Sequence, residues 1–337
     1  MKHRQVGNSG LWISEIAYGN YLTSNSSVGS DLIRTALDSG ITTFDTADNY
    51  GDSNAEIILG KSLRGVPRSS YEIMTKVYSP VGRSLNERGL SRKHVFDAVE
   101  SSLRRLQTDY IDIYQAHHFD STTPVEEVTS AFSQLIDQGK VRYIGVSNWN
   151  TRQLNSALKM QNEKSFHNFI SNQIQLSLLT GISKYRNNFA RRNGICHLAW
   201  SPLGEGVLTG KYSPSNRSIE NSRSSDPTVY DLRLKDYLAS DVLEAVKRFT
   251  DFAKSIGCTP AQLAILWLLE TPNISSVIIG ASRPEQIIEN VKASDLKLDP
   301  HSYREVNRIF KQVRYSRKFK SLARSVYYRL PLKKLIR

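Results

Sequence analysis

Short apolar runs alternate with stretches whose apolar residues recur at helical spacing along most of the chain. The first residues read as a hairpin: an extended run at 2–6, a turn over Gly7–Gly10, and a second run at 11–14. Eight strand-like runs follow, at residues 15–18, 42–45, 72–76, 111–117, 143–146, 170–173, 197–200 and 276–279. Eight helical patterns interleave with them, at 30–39, 55–63, 92–106, 125–138, 152–160, 183–193, 260–269 and 284–291. Thr123-Pro124 and Thr259-Pro260 each place a capping residue before a first-turn proline, and Arg283-Pro284 follows Ser282 in the same manner. Gly40 and Gly139 stand where helices should end.

Strands and helices in strict alternation call for a parallel sheet, and eight units permit closure into a (β/α)8 TIM barrel. The competing architecture is a doubly wound open sheet, which would carry Gly-x-Gly-x-x-Gly in its first βα turn if it bound a dinucleotide. Here Gly19-Asn20-Tyr21-Leu22-Thr23 follows the first strand, with no such fingerprint. The one long connection, residues 203–235, is rich in Ser and Arg and lacks clear periodicity, as expected of a lid or a disordered segment. No Pro/Gly-rich linker divides the chain. The expectation is one α/β barrel domain over residues 1–310, opened by a β-hairpin and followed by a basic tail over 311–337.

Composition narrows the class. The 337 residues are 39% hydrophobic and 23% charged, an ordinary globular mixture. No apolar run approaches the roughly 18 residues of a membrane span. No apolar stretch follows the first basic residues, so a secretory leader is not expected. Cys196 and Cys258 are too few for a disulfide scaffold or a four-cysteine zinc site. A soluble protein of the reducing cytoplasm is the simplest expectation.

The formal charge is +13, but residues 311–337 hold ten Lys or Arg and no acid, so the remainder carries only +3. The basic excess therefore belongs to the tail. Tyr315, Phe319, Leu322, Tyr327, Tyr328, Leu330 and Leu332 interleave with its cations. A solvated or self-packing extension is the expected state, with weak contact to an anionic surface (lipid or nucleic acid) as the alternative. No nucleic-acid-binding motif accompanies it, so no specific nucleic acid partner is expected.

In a (β/α)8 barrel the chemistry sits where strands run into the following loops. Asp45 ends the second expected strand, with Tyr50 five residues on; Lys76 ends the third, and His117 and His118 the fourth. Ser147-Asn148, Gln173 and Trp200-Ser201 end the next three. Singly, each has a bland reading: Asp45 as a loop cap, Tyr50 as packing, Lys76 as a strand terminus, the histidines as structural. Their joint order is what points to chemistry. A tyrosine hydroxyl titrates near 10 and a neighbouring ammonium should lower that value. An aspartate paired with the lysine keeps the ammonium charged, and a histidine beside the hydroxyl orients a bound carbonyl oxygen. Together they make a general acid aimed at an oxygen that turns negative as hydride arrives. A metal on His117, His118 and Asp120 is disfavoured, since adjacent residues on a strand point to opposite faces.

Several stretches, in order, carry a family resemblance over roughly residues 1–300. They are Phe44-Asp45-Thr46-Ala47 with Tyr50-Gly51, Thr75-Lys76, the run from Asp109 to His117, the run from Gly139 to Asn148, and Ser171-Asn172-Gln173. Further on come Ala199-Trp200-Ser201-Pro202-Leu203, the run from Leu208 to Tyr212, and Ile279 to Gln286 with Glu289-Asn290. The sequence resembles the aldo-keto reductases, including their potassium-channel β-subunit-like branch. The resemblance implies a barrel that binds NADPH (or NADP+) extended across its mouth and reduces a small-molecule carbonyl substrate. By position Tyr50 resembles the proton donor, Lys76 and Asp45 its tuning pair, and His117 the orienting residue. Ser147, Asn148 and Gln173 resemble the clamp on the nicotinamide carboxamide, and Trp200 the residue that stacks on the ring.

Ser201, Pro202, Leu203 and Lys211 resemble the pyrophosphate wrap, with residues 203–235 as a closing belt. Gly280, Ser282, Arg283, Gln286, Glu289 and Asn290 resemble the adenosine end, where Arg283 or a belt cation would favour a 2′-phosphate. Gly19, Asn20, Tyr21 and Asp45 complete the implied cofactor contacts. Two departures stand out: Glu205 places an acid near the expected pyrophosphate path and could couple to Lys211, and Tyr21 stands where many relatives carry tryptophan. Rival readings are a cofactor-sensing regulatory protein and a basic surface-binding protein on a reductase scaffold.

Overall fold

An antiparallel hairpin opens the chain, β1 (His3–Gln5) against β2 (Trp12–Ser14). There follow β3 (Ile16–Gly19), α1 (Gly29–Asp38), β4 (Thr43–Asp45), α2 (Asn54–Ser62), β5 (Glu72–Val77), α3 (Arg92–Leu106) and β6 (Ile111–Ala116). Next come α4 (Val125–Asp137), β7 (Val141–Ser147), α5 (Thr151–Glu163), β8 (Phe169–Gln175), α6 (Lys184–Arg192) and β9 (Cys196–Trp200). The last elements are α7 (Ser240–Ser255), α8 (Pro260–Leu269), β10 (Ile274–Ile279), α9 (Pro284–Val291) and α10 (Pro300–Tyr327). This computed structural model describes residues 1–21, 28–213, 215–219 and 234–327, the stretch 315–327 as backbone only. Leu22, Thr23, residues 214 and 220–233 of the expected belt, and Tyr328, Leu330 and Leu332 of the tail lie outside the described residues, as do the side chains of Tyr315, Phe319, Leu322 and Tyr327.

The described chain divides into two compact units. The first comprises Met1–Leu176, Ile182–Pro202 and Leu268–Lys297; the second comprises Ser177–Gly181, Leu203–Trp267 and the chain from Leu298 onward. The first unit contains a closed barrel of eight parallel strands in the order β10-β3-β4-β5-β6-β7-β8-β9, the expected (β/α)8 architecture.

The hairpin packs on the barrel's inner core. Val6 and Ile13 join Ala17, Met74, Ile113, Cys196, Leu198 and Ile278 in one buried cluster. Its turn approaches the start of β9 so closely that a Cβ on Gly7 would lie 2.2 Å from the carbonyl oxygen of Gly194, and Gly7 has φ +54. Only glycine meets both conditions. Outside the barrel the helices bury single stripes. In α3 these are Val95, Ala98, Val99, Ser102 and Leu106, which share one helical face, and Ser91 caps the helix by accepting from the His94 N–H.

The structure corrects one cap and confirms another. Thr123 does not cap α4: Pro124 holds the cap position, and the Thr123 hydroxyl donates to Asp120 Oδ2 at 2.8 Å. Thr259 Oγ1 accepts from the Gln262 N–H at 3.2 Å while Gln262 Oε1 accepts from the Thr259 N–H at 3.0 Å, a reciprocal capping box. Gly40 and Gly139 follow helices with φ +82 and +70, as expected of helix ends.

In the second unit α7 buries Val242, Val246, Phe249 and Ala253 as one stripe, in a stretch where the sequence pattern predicts no element. The Phe249 ring meets Phe310 edge-on at 5.4 Å, and Trp267 stacks on Tyr303 at 6.3 Å. The boundary expected at residue 310 falls inside α10, whose helical backbone runs on through Tyr327. Among the described residues no single helix is long and apolar enough to cross a membrane.

Candidate active site

The end of β4 fixes the centre of the site. Asp45 pairs with Met74 in the sheet register, and the sheet-like bonding continues one step beyond: the Thr46 N–H donates to Met74 O at 2.9 Å and the Asp48 N–H to Lys76 O at 3.1 Å. The chain then turns sharply, with Gly51, Asp52 and Ser53 all left-handed at φ 53, 52 and 72. Asp52 and Ser53 occupy a region that L-residues avoid, so the turn is held against local preference. The Ser53 hydroxyl on Asp48 O (2.7 Å) and the Ala55 N–H on Tyr50 O (3.2 Å) hold it there. Asn20 Nδ2 donates to Ala55 O at 2.8 Å, which ties the loop after β3 to the same turn.

Lys76 is fully buried, and its ammonium makes three contacts: Asp45 Oδ2 at 2.7 Å, Thr46 O at 2.7 Å and the Tyr50 hydroxyl at 3.4 Å. The other oxygen of Asp45 accepts from Gln173 Nε2 at 2.6 Å. A buried ammonium is stable only with such complete pairing. The His117 ring meets the Tyr50 ring edge-on at 5.7 Å. Asp45, Tyr50, Lys76 and His117 thus converge on the C-terminal mouth of the barrel, with Gln173 joining them from β8.

Two expectations need correction. Lys76 does not bring the Tyr50 hydroxyl below its ordinary value. Burial raises it, and the opposing pull of the ammonium is smaller, so the net direction is upward. For Lys76 itself burial is the largest influence and acts downward, but the Asp45 charge, Tyr50 and the hydrogen bonds together carry its value above the ordinary one. The second correction concerns the histidines. β6 ends at Ala116, so strand alternation does not reach His117 and His118; their rings stack at 4.9 Å with only 7° between planes. His118 also meets Tyr78 at 5.3 Å, and Tyr21 meets Tyr50 at 4.9 Å. A row of five rings, from Tyr21 to Tyr78, therefore lines one side of the mouth, and its members Tyr78 and His118 carry no motif signal. Asp120 accepts from the N–H groups of Leu90 and Thr122 and from the hydroxyls of Thr122 and Thr123. No group of three or more metal-ligating side chains is found among the described residues.

The residues expected to hold a nicotinamide lie across the mouth. Ser147 ends β7, and Asn148 follows it in a left-handed conformation at φ 59. Asn148 Nδ2 donates to Ser147 Oγ at 2.9 Å, and its Oδ1 accepts from the Trp200 indole N–H at 3.1 Å. These bonds tie the amide after β7 to the indole at the end of β9, across the intervening β8. Gln173, which pairs with Ser147 in the sheet register, is anchored by its nitrogen on Asp45. The set offers a hydroxyl, an amide and a carbonyl to one small planar group, the chemistry a carboxamide requires. Gly19 ends β3, where a Cβ would come within 2.8 Å of Ile278; Tyr21, beyond buried Asn20, is half exposed.

Ser201 (φ 55) and Pro202 close the first unit's stretch after β9. Leu203 and Lys211 belong to the second unit, where the Lys211 ammonium lies 5.0 Å from the Tyr212 ring centre and next to Gly206. Glu205 is buried there at φ 58. At the expected adenosine end Gly280 follows β10, Arg283 and Glu289 are exposed, and Asn290 is buried. Gln286 turns back to accept from the Ser282 N–H at 2.8 Å, which settles the start of α9.

Residues 10–311 match the model of the Aldo/keto reductase family. The chain is 37% identical over 326 residues to a putative voltage-gated potassium channel subunit beta of Schizosaccharomyces pombe, covering 91% of this chain and 92% of that protein. It is 35% identical to probable voltage-gated potassium channel subunits beta of Oryza sativa subsp. japonica and Arabidopsis thaliana, each covering 88% of this chain and 92% of the relative. With a closed eight-stranded barrel and this match over most of its length, the chain belongs to the aldo/keto reductase family, a family of oxidoreductases.

Proposed function

We propose that this chain is a cytosolic, NADPH-dependent oxidoreductase that reduces an aldehyde or ketone to an alcohol, with Tyr50 delivering the proton. The observation that carries the reading is the single ammonium of Lys76, buried and bonded at once to Asp45, Thr46 O and the Tyr50 hydroxyl.

Ser147, Asn148 and Gln173 would hold the carboxamide of the nicotinamide, with Trp200 against the ring and Arg283 exposed at the adenosine end for a 2′-phosphate. When bound there, NADPH would supply a hydride to the carbonyl carbon. The chain's own residues manage the oxygen. His117 orients it beside Tyr50, whose raised value keeps the phenol protonated throughout the neutral range. As negative charge grows on that oxygen, the phenol O–H gives up its proton, and Lys76 stabilises the phenolate left behind. Asp45 keeps the ammonium charged through the cycle. Oxidation of NADPH at 340 nm (roughly, the nicotinamide band) across aldehydes, ketones, quinones and keto-sugars, run beside NADH, tests the assignment. Turnover of at least one class with NADPH preferred supports it; none with any class overturns it.

The names of the relatives, voltage-gated potassium channel subunits beta, favour a second reading, a regulatory subunit of a channel assembly, which here would keep the cofactor pocket as a sensor. Tight NADPH binding without turnover of any carbonyl would select it. In either case we assign the basic segment 311–337 a weak contact with anionic surfaces. Loss of vesicle binding on truncation, together with steep salt dependence, tests this; equal binding by the truncated chain contradicts it.

A further inference from the structure

Behind the loop that presents Tyr50 lies a second acid that the proposed reaction does not use. Asp48 is fully buried. Its backbone is engaged on both sides, the N–H donating to Lys76 O at 3.1 Å and the carbonyl accepting from the Ser53 hydroxyl at 2.7 Å. Its carboxyl has no side-chain partner among the described residues, and only the backbone N–H of the adjacent Asn49 acts on it locally, to lower its value.

The charges that face it come from four elements. Glu56 projects from α2, Arg105 from α3, Lys76 from β5 and the Tyr114 phenol from β6. Both cations are already committed. Arg105 donates through Nε and Nη2 to Glu56 Oε2, each at 2.7 Å, while the other oxygen of Glu56 takes the Thr75 hydroxyl at 2.5 Å. Lys76 is bonded to Asp45 at 2.7 Å. One guanidinium therefore stands against two carboxyls, and its hydrogen bonds to carboxyl oxygen all go to Glu56. An ionised Asp48 would be a buried charge with no partner of its own, a state that proteins avoid by neutralising the group. The buried Tyr114 hydroxyl is likewise without a partner among the described residues, so it gives Asp48 no hydrogen bond either.

We propose that Asp48 is held as a neutral carboxylic acid and serves as a positioning residue for the loop that presents Tyr50. Its catalytic consequence rests on the proposed proton-donor role of Tyr50; its protonation does not. Burial, reinforced by the Glu56 charge, pushes the carboxyl well above its ordinary value, and the pull of Arg105 does not offset this. A carboxyl that is neutral when folded and ionised when unfolded takes up a proton on folding. Stability then falls as pH rises from the unfolded value of about 4 until the folded value is passed.

The test compares wild type with Asp48→Asn, a neutral isostere, and Asp48→Ala, which leaves the buried space of the carboxyl group unfilled. Wild type at pH 7 should show the infrared carbonyl stretch of a protonated carboxyl, absent from Asp48→Asn. The Asn variant should show a shallower fall in stability above about pH 4 than wild type, the remainder coming from Glu72 and Asp112, which burial also raises. It should retain turnover, whereas Asp48→Ala should lose on the order of 100-fold in kcat with little change in KM for NADPH, the effect of a misplaced acid. If the Asn variant does not fold, carboxyl-labelled aspartate supplies the band by its isotope shift, with Asp112→Asn labelled in the same way to remove the contribution of Asp112, which burial also raises. Absence of a protonated aspartate band at pH 7, or a stability slope unchanged by Asp48→Asn, overturns the proposal. A wild type without any carbonyl turnover would count against the proposed function alone, since band and slope are read without substrate.

Discussion

Gln173 reaches across the barrel to Asp45, its Nε2 donating to Oδ1 at 2.6 Å, while Oδ2 of the same carboxylate holds Lys76 at 2.7 Å. One buried acid thereby joins the strand end that would grip the nicotinamide to the set that tunes the proton donor. Gln173→Leu removes a hydrogen bond to a charged group, worth about 1.5–3 kcal/mol. We expect both a weaker NADPH Kd, read by fluorescence quenching, and a lower kcat. A change in Kd alone would show that the bond does not serve the acid.

The ion pair of Lys76 and Asp45 is a demand of the chemistry rather than a source of stability. Lys76→Met should destabilise the fold by about 3–5 kcal/mol, because it strands a buried carboxylate. Adding Asp45→Leu should recover most of that loss in urea unfolding, with turnover still absent. A double variant no more stable than the single one would contradict the charge-stranding argument.

Alkaline pH gives a signed prediction. Lys76 has a folded value above its unfolded one, so its stabilisation is complete below about 10.4 and is lost as pH rises through the folded value. Tyr50, also raised, acts in the same direction from about pH 10 upward. Carbonyl reduction should therefore show no loss attributable to Tyr50 ionisation below about pH 10. Stability measured by denaturant titration should fall above that point, and less steeply in Lys76→Met.

Asp120 makes the opposite prediction at acid pH. Burial works to raise its value, but bonds from Thr122, Leu90 and Thr123 carry it below the ordinary one. It ties the loop after β5 to the loop after β6, behind His117 and His118. Asp120→Ala should cost about 1.5–3 kcal/mol at pH 7, and the gap to wild type should close as pH falls through the folded value. Urea midpoints at pH 7 and in acid check this; a gap independent of pH would assign the effect to packing.

The barrel was legible because its signals are local and repeated: apolar runs of strand length alternating with stripes of helical period. Asp45, Lys76 and Gln173 were legible for a related reason, since strand ends are where a barrel gathers its chemistry. What escaped depended on distant or non-periodic structure. The stacking of His117 on His118 follows from β6 ending at Ala116, one residue earlier than the apolar run suggests. The upward shift of Tyr50 required knowing how deeply the loop buries it, because the neighbouring ammonium alone argues for the reverse. Thr123 carries a capping sequence, yet its hydroxyl is claimed by Asp120. Asp48 lies within a stretch rich in motif residues, but its isolation is visible only once Glu56 and Arg105 are seen to satisfy each other.

The most direct measurement is single-turnover carbonyl reduction by Tyr50→Phe beside an independent NADPH titration. The loss of a positioned general acid should lower the rate by about 10²–10⁴-fold while NADPH affinity stays within about twofold of wild type. A Phe variant that reduces its carbonyl substrate at the wild-type rate would contradict the assignment of Tyr50 as proton donor, and with it the tuning roles of Lys76 and Asp45.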